Sequence, residues 1–104
     1  AIGNDYGFDS LFSRQLQANA RPGDVFIAIS TSGNSANIVR ALEAAAELDL
    51  VTVGLSGAGG GAMAELCQHC VKIPSTDTPR IQEGHITVGH ILCASTEQVL
   101  FGRA

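Results

Sequence analysis

Val25-Phe26-Ile27-Ala28-Ile29-Ser30-Thr31-Ser32-Gly33-Asn34-Ser35 joins five apolar residues to a run of small polar ones. An unbroken apolar run of this length suits a strand buried on both faces, as in a parallel sheet. The polar run is too short to be anything but a loop. After it, residues 35–48 carry Ile38, Val39, Leu42, Ala45 and Ala46 at helical spacing. The stretch therefore reads as strand, loop, helix, and it sets the register for the rest of the chain.

Working outward, the same two periods recur. Residues 9–20 place Leu11, Phe12, Leu16 and Ala20 near helical spacing, with Asp9 or Ser10 as possible caps, and Arg21-Pro22-Gly23-Asp24 is a turn. Residues 50–55 predict a second buried strand, 56–61 a glycine-rich loop and 62–66 a short helix. Residues 70–73 predict a third strand, 74–79 a loop, and 80 to about 100 a long helix with Ile81, Ile86, Ile91, Leu92 and Val99 as its apolar positions. Ala1-Ile2 reads as the end of an earlier strand, and upstream sequence is expected to be missing. Strands that alternate with helices imply a parallel sheet with helices on its faces. The expected fold is a three-layer α/β/α sandwich, flavodoxin-like. In such sheets ligands sit beyond the carboxyl ends of the strands. That singles out Asn4-Asp5 and the loops at 30–35, 56–61 and 75–82.

Composition narrows the function. The 104 residues hold 6 basic and 10 acidic side chains, a formal charge of −4, so a general nucleic-acid binder is excluded. No apolar run approaches the roughly 20 residues of a membrane helix. Three cysteines, an odd number with no secretory signal, read as reduced cytoplasmic thiols. Cys67-Gln68-His69-Cys70 is a lone CxxC, better read as two small buried residues than as half a zinc site, and Cys93 reads as core. Gly57-Ala58-Gly59-Gly60-Gly61-Ala62 fits the dinucleotide-binding pattern, but the helix after it is short, so a plain flexible turn is the better reading.

The loop at 30–35 carries the chemistry. It opens a helix, where unpaired N–H groups and the positive dipole end favour an anion. Ser30, Thr31, Ser32 and Ser35 add hydroxyl donors, Gly33 allows close approach, and no Lys or Arg intervenes. Neutral donors around a helix start fit one phosphate monoester. The competing reading is an ordinary helix cap, for which four hydroxyls are more than is needed.

Residues 29–37 resemble the phosphosugar-binding loop of sugar isomerase domains, the phosphoheptose isomerases among them. Gly3-Asn4-Asp5-Tyr6-Gly7-Phe8, Arg80-Ile81-Gln82-Glu83 and the segment from His85 to His90 extend the likeness over the whole chain. The resemblance implies that residues 1–104 form the C-terminal portion of such a domain. It implies that Ser30, Thr31, Ser32 and Ser35 hold the sugar phosphate and that Asn4 and Asp5 contact the sugar. Gln82 is implied to bind substrate and zinc, and His90 to be a zinc ligand and acid/base group, with one zinc per subunit in a homotetramer. The implied activity interconverts sedoheptulose 7-phosphate and D-glycero-D-manno-heptose 7-phosphate through an enediol, toward lipopolysaccharide heptose. An upstream His and Glu that complete the family's site have no counterpart in these residues, so the chain is expected to bind phosphosugar even if it does not turn it over. The alternative is a non-catalytic phosphosugar-binding module, a class that includes a partner of the bacterial replication initiator.

Gln82 and His90 are eight residues apart, ~12 Å along a helix axis. A single ion at ~2 Å from each requires either a distorted helix or ligands from two subunits. The spacing favours a subunit interface. Glu83, His90 and Glu97 recur every seven residues and share a face, either a proton-transfer stripe or a polar seam. His85 and His69 read as structural.

Overall fold

The computed structural model describes residues 1–102. Three parallel strands, β1 (Val25–Ile29), β2 (Val51–Ser56) and β3 (His69–Lys72), lie in the order β1-β2-β3. Ile29 pairs with Leu55, and Leu55 with Val71, so the strands end together and their following loops meet. The helices are α1 (Ile2–Tyr6), α2 (Leu11–Asn19), α3 (Ala36–Glu47), α4 (Gly61–Leu66) and α5 (Thr78–Phe101), with a 3-10 turn at Phe8–Ser10. The strands and main helices fall within a residue or two of their predicted bounds.

Side chains alternate across a strand, and this sorts the layers. Phe26, Ala28 and Cys70 face α3 and α4, where Ala28, Leu42 and Met63 form the core with Ile38 and Cys67 around them. Ala41 and Ala45 are fully buried, so α3 sits close on the sheet. The opposite face, with Ile27, Ile29 and Leu55, looks toward α5. This is the three-layer α/β/α arrangement.

The layers are not equally covered. Only Ile81 and His85 of α5 are buried, and every residue from His90 to Gly102 is exposed. Val25, Ile27 and Ile29 are 60, 45 and 53% exposed. β1 is therefore covered on one face, not both as its apolar run predicts. Cys93, expected in the core, is exposed. At the N-terminus, Ala1-Ile2 is not a strand end. Ile2–Tyr6 is one helical turn, closed by the bond from the Asp5 amide to the Ala1 carbonyl.

α5 has clear ends. Asp77 holds the N-cap position, with Pro79 in the first turn where its missing N–H costs nothing. Gly102, at φ 60°, donates its amide to the Gln98 carbonyl and stops the helix. Between those ends the helix is continuous.

Candidate functional site

The amide of Ser30 bonds to the Leu55 carbonyl at 3.0 Å, so the chain leaves β1 still tied to the sheet. Ser30 is buried. Its Oγ accepts from the Gly33 amide at 3.1 Å and lies 2.8 Å from Ser35 Oγ. Ser32 Oγ accepts from the Asn34 amide at 3.1 Å. The first i to i−4 bond of α3 runs from the Val39 amide to the Ser35 carbonyl. The amides before it have no partner within the helix, which is the condition for anion binding. Ser35 stands at the N-cap, yet its hydroxyl makes no capping bond and turns to Ser30 instead. An ordinary serine cap does not look like this.

A second loop clamps the first. The Gly57 amide donates to the Thr31 carbonyl at 3.0 Å, the Met63 amide to the Gly33 carbonyl at 2.9 Å, and the Ala62 amide to Asn34 Oδ1 at 2.8 Å. Gly33 has φ 71°, and a Cβ there would overlap the Gly60 carbonyl. Gly61 has φ 57°, and its Cβ would come 2.6 Å from the Ser32 carbonyl oxygen. Two backbones approach this closely only because neither residue has a side chain. The Ala62 and Met63 amides of α4 are thus spent on the 30–35 loop and are not available for a pyrophosphate. The glycine-rich stretch is a buttress, pinned rather than flexible. Its motif was visible in the sequence, but the non-local partner was not. The role of Asn34 was also missed, since nothing in its neighbours signals a bond 28 residues away.

From the other side, α5 closes the site. Ser30, Thr31, Ser35, Gln82 and His85 line one cavity of about 580 Å³. Ser32 lies next to it, in a cavity of about 270 Å³ shared with Thr31, Ser75, Thr76 and Thr78. His90 lines a third, about 410 Å³, with Ile27, Ile29, His85, Leu92 and Cys93. The structure brings the hydroxyl loop and Gln82 together and sets His90 apart from them. Asn4 and Asp5 are exposed on α1, not in a loop, with Asn4 Nδ2 donating to Asp5 Oδ1 at 3.3 Å. They line neither of the cavities that the 30–35 loop borders.

Other candidates sort as follows. Glu83 pairs with Arg80 at 3.0 Å on the surface. His69 is exposed on β3. Cys67 and Cys70 are half-buried at the core edge. Burial, with the Cys70 thiol as a lesser cause, pushes the Cys67 thiol up to about 11, so it is protonated and unreactive at neutral pH. For zinc, no group of three His, Cys, Asp or Glu side chains converges among the described residues. α5 runs unbroken from Gln82 to His90, so a distorted helix does not bring the two together. Gln82 and His90 of one chain do not fit a single ion.

Residues 1–57 match the SIS domain family, and the chain belongs to it. Phosphoheptose isomerase 2 of Campylobacter jejuni is 62% identical over 103 residues, covering 99% of this chain and 51% of that protein. The phosphoheptose isomerase of Aneurinibacillus thermoaerophilus is 62% identical over 101 residues, covering 97% and 51%. Among solved structures, the phosphoheptose isomerase of Neisseria gonorrhoeae superposes with a TM-score of 0.87 at 46% identity, covering 90% of this chain and 54% of that one. The Francisella tularensis phosphoheptose isomerase gives 0.89 at 35% identity, covering 93% and 54%. The chain spans about half the length of these relatives. No helix among the described residues is long and apolar enough to cross a membrane.

Proposed function

We propose that this chain carries the phosphosugar-binding part of a ketose–aldose isomerase that interconverts sedoheptulose 7-phosphate and D-glycero-D-manno-heptose 7-phosphate. One observation carries the reading: Ser30, Thr31, Ser35 and Gln82 line one cavity at the start of α3. The phosphate meets the loop hydroxyls and the free amides of α3. The sugar extends toward Gln82 and α5. The Campylobacter and Aneurinibacillus relatives are named phosphoheptose isomerases, which favours a phosphoheptose as the substrate.

The reaction moves a proton between C1 and C2, which requires groups that alternate as base and acid. His90 is the proposed proton carrier from this chain. It is exposed and lies outside the cavity that its own Gln82 lines, so we place it at a site shared between copies. Zinc enters on the same terms, with Gln82 and His90 supplied by different copies. A homotetramer in the cytoplasm is the assembly this reading expects.

Incubation of the chain with sedoheptulose 7-phosphate in D2O, followed by NMR, tests the reading. Conversion to the aldose, or deuterium exchange at C1, is the expected result if the residues present suffice for proton transfer. Binding with neither conversion nor exchange means an intact phosphosugar site in a catalytically incomplete chain or in a non-catalytic module, and no binding overturns the reading.

A further inference from the structure

His85 is 5% exposed and sits between the hydroxyl-loop cavity and the groove that holds His90, lining both. Its Nε2 lies 3.0 Å from the Ser56 carbonyl at the end of β2. A carbonyl only accepts, so Nε2 carries the hydrogen. In the neutral ring, Nδ1 is then a bare acceptor. Among the described residues, Nδ1 is the one buried side-chain nitrogen or oxygen without a hydrogen-bond partner.

A purely structural histidine accounts for half of this. The Nε2 bond pins α5 to the end of β2. It gives no reason for leaving an acceptor buried and unmet, which is unfavourable. Such an atom calls for a partner from outside the chain. The chemistry of the cavity says which kind. The loop offers donors, hydroxyls and amides that suit a phosphate. The rest of its wall is Ile29, Ile86, Gln82 and His85 itself. A sugar brings hydroxyl donors to that wall, and these need acceptors. His85 is part of that cavity's lining, and its Nδ1 is the buried nitrogen left without a partner.

We infer that His85 is a substrate-binding residue whose Nδ1 accepts a hydrogen bond from a hydroxyl of the sugar phosphate anchored by the 30–35 loop. The inference rests on the phosphosugar reading above and adds the group that reads the sugar end.

The test is the ring nitrogen signal of His85 in the 15N-labelled chain, titrated with sedoheptulose 7-phosphate and, separately, with inorganic phosphate. The expected result is that both ligands move the amides of residues 30–35, while only the sugar phosphate moves Nδ1. If the sugar phosphate moves the loop amides and leaves Nδ1 still, His85 is structural only and the inference falls, with the phosphosugar site intact. If neither loop nor ring responds, the site reading fails and takes the inference with it. His85→Phe sharpens the result, because it keeps a ring in place and removes the Nδ1 acceptor, and unchanged binding of inorganic phosphate shows that the loop is intact. It should bind sugar phosphate on the order of tenfold more weakly and inorganic phosphate as before. Unchanged sugar-phosphate affinity in that variant overturns the inference.

Discussion

At the carboxyl ends of the strands, the 30–35 and glycine-rich loops bond to each other through the Gly57, Ala62 and Met63 amides. Along the outer face of β1 and the far half of α5, the chain leaves Ile27, Ile29, Val99 and Phe101 in the open, the last two 81 and 71% exposed. The first region completes itself within these residues. The second presents apolar surface of a kind that a soluble domain normally covers. The hydroxyl loop is thus braced within one chain, whereas the groove at His90 is left open along β1 and α5.

The largest effect expected from breaking the clamp is at Gly33. Gly33→Ala forces a side chain into a left-handed backbone and against the Gly60 carbonyl, at a combined cost of about 3 kcal/mol. Urea unfolding measures it, and a loss under 1 kcal/mol means the two loops are not interlocked. Ser30→Ala comes next. It strips the acceptor from the buried Gly33 amide and the partner from Ser35, for about 1–3 kcal/mol. Sugar-phosphate affinity should fall with it by at least tenfold, read by calorimetry.

A smaller effect lies at Cys67. Its thiol is raised from the ordinary 9.0 to about 11 in the folded chain, so folding holds the proton more tightly than the unfolded chain does. The associated stability is complete below about pH 9 and is lost as pH rises toward 11. Cys67→Ala should flatten that decline, and a decline of the same size in the variant assigns it to other groups. Thiol alkylation at pH 8 should modify exposed Cys93 well before Cys67.

The smallest change in stability is expected on the open face. Ile27→Asn and Leu92→Ser should each lower it by only about 1 kcal/mol, because the two side chains are 45 and 37% exposed. Their effect should fall on association instead. Light scattering should show the parent chain self-associating and the double variant less so. A parent chain that stays monomeric at high concentration removes the case for a shared site at His90.

The same contrast explains what could be read from residues alone. β1, α3 and the long α5 were legible because their periodicity is local and strong. The hydroxyl loop was legible because four short donors before a helix have a direct chemical meaning. The reading of β1 as covered twice failed because an apolar run shows that a face wants cover and not what supplies it. Ala1-Ile2 failed because two apolar residues carry no period at all, and Asn4-Asp5 went with it from loop to helix. The clamp by Gly33, Gly61 and Asn34, and the half-satisfied ring of His85, depend on partners far along the chain, which no spacing rule reaches.

Calorimetric titration of the chain with sedoheptulose 7-phosphate, set beside unphosphorylated sedoheptulose, bears most directly on the central claim. Anchoring by the 30–35 loop predicts saturable binding of the phosphate ester, weakened by Ser30→Ala, and no measurable binding of the free sugar. Equal binding of both sugars, or binding of neither, would contradict it.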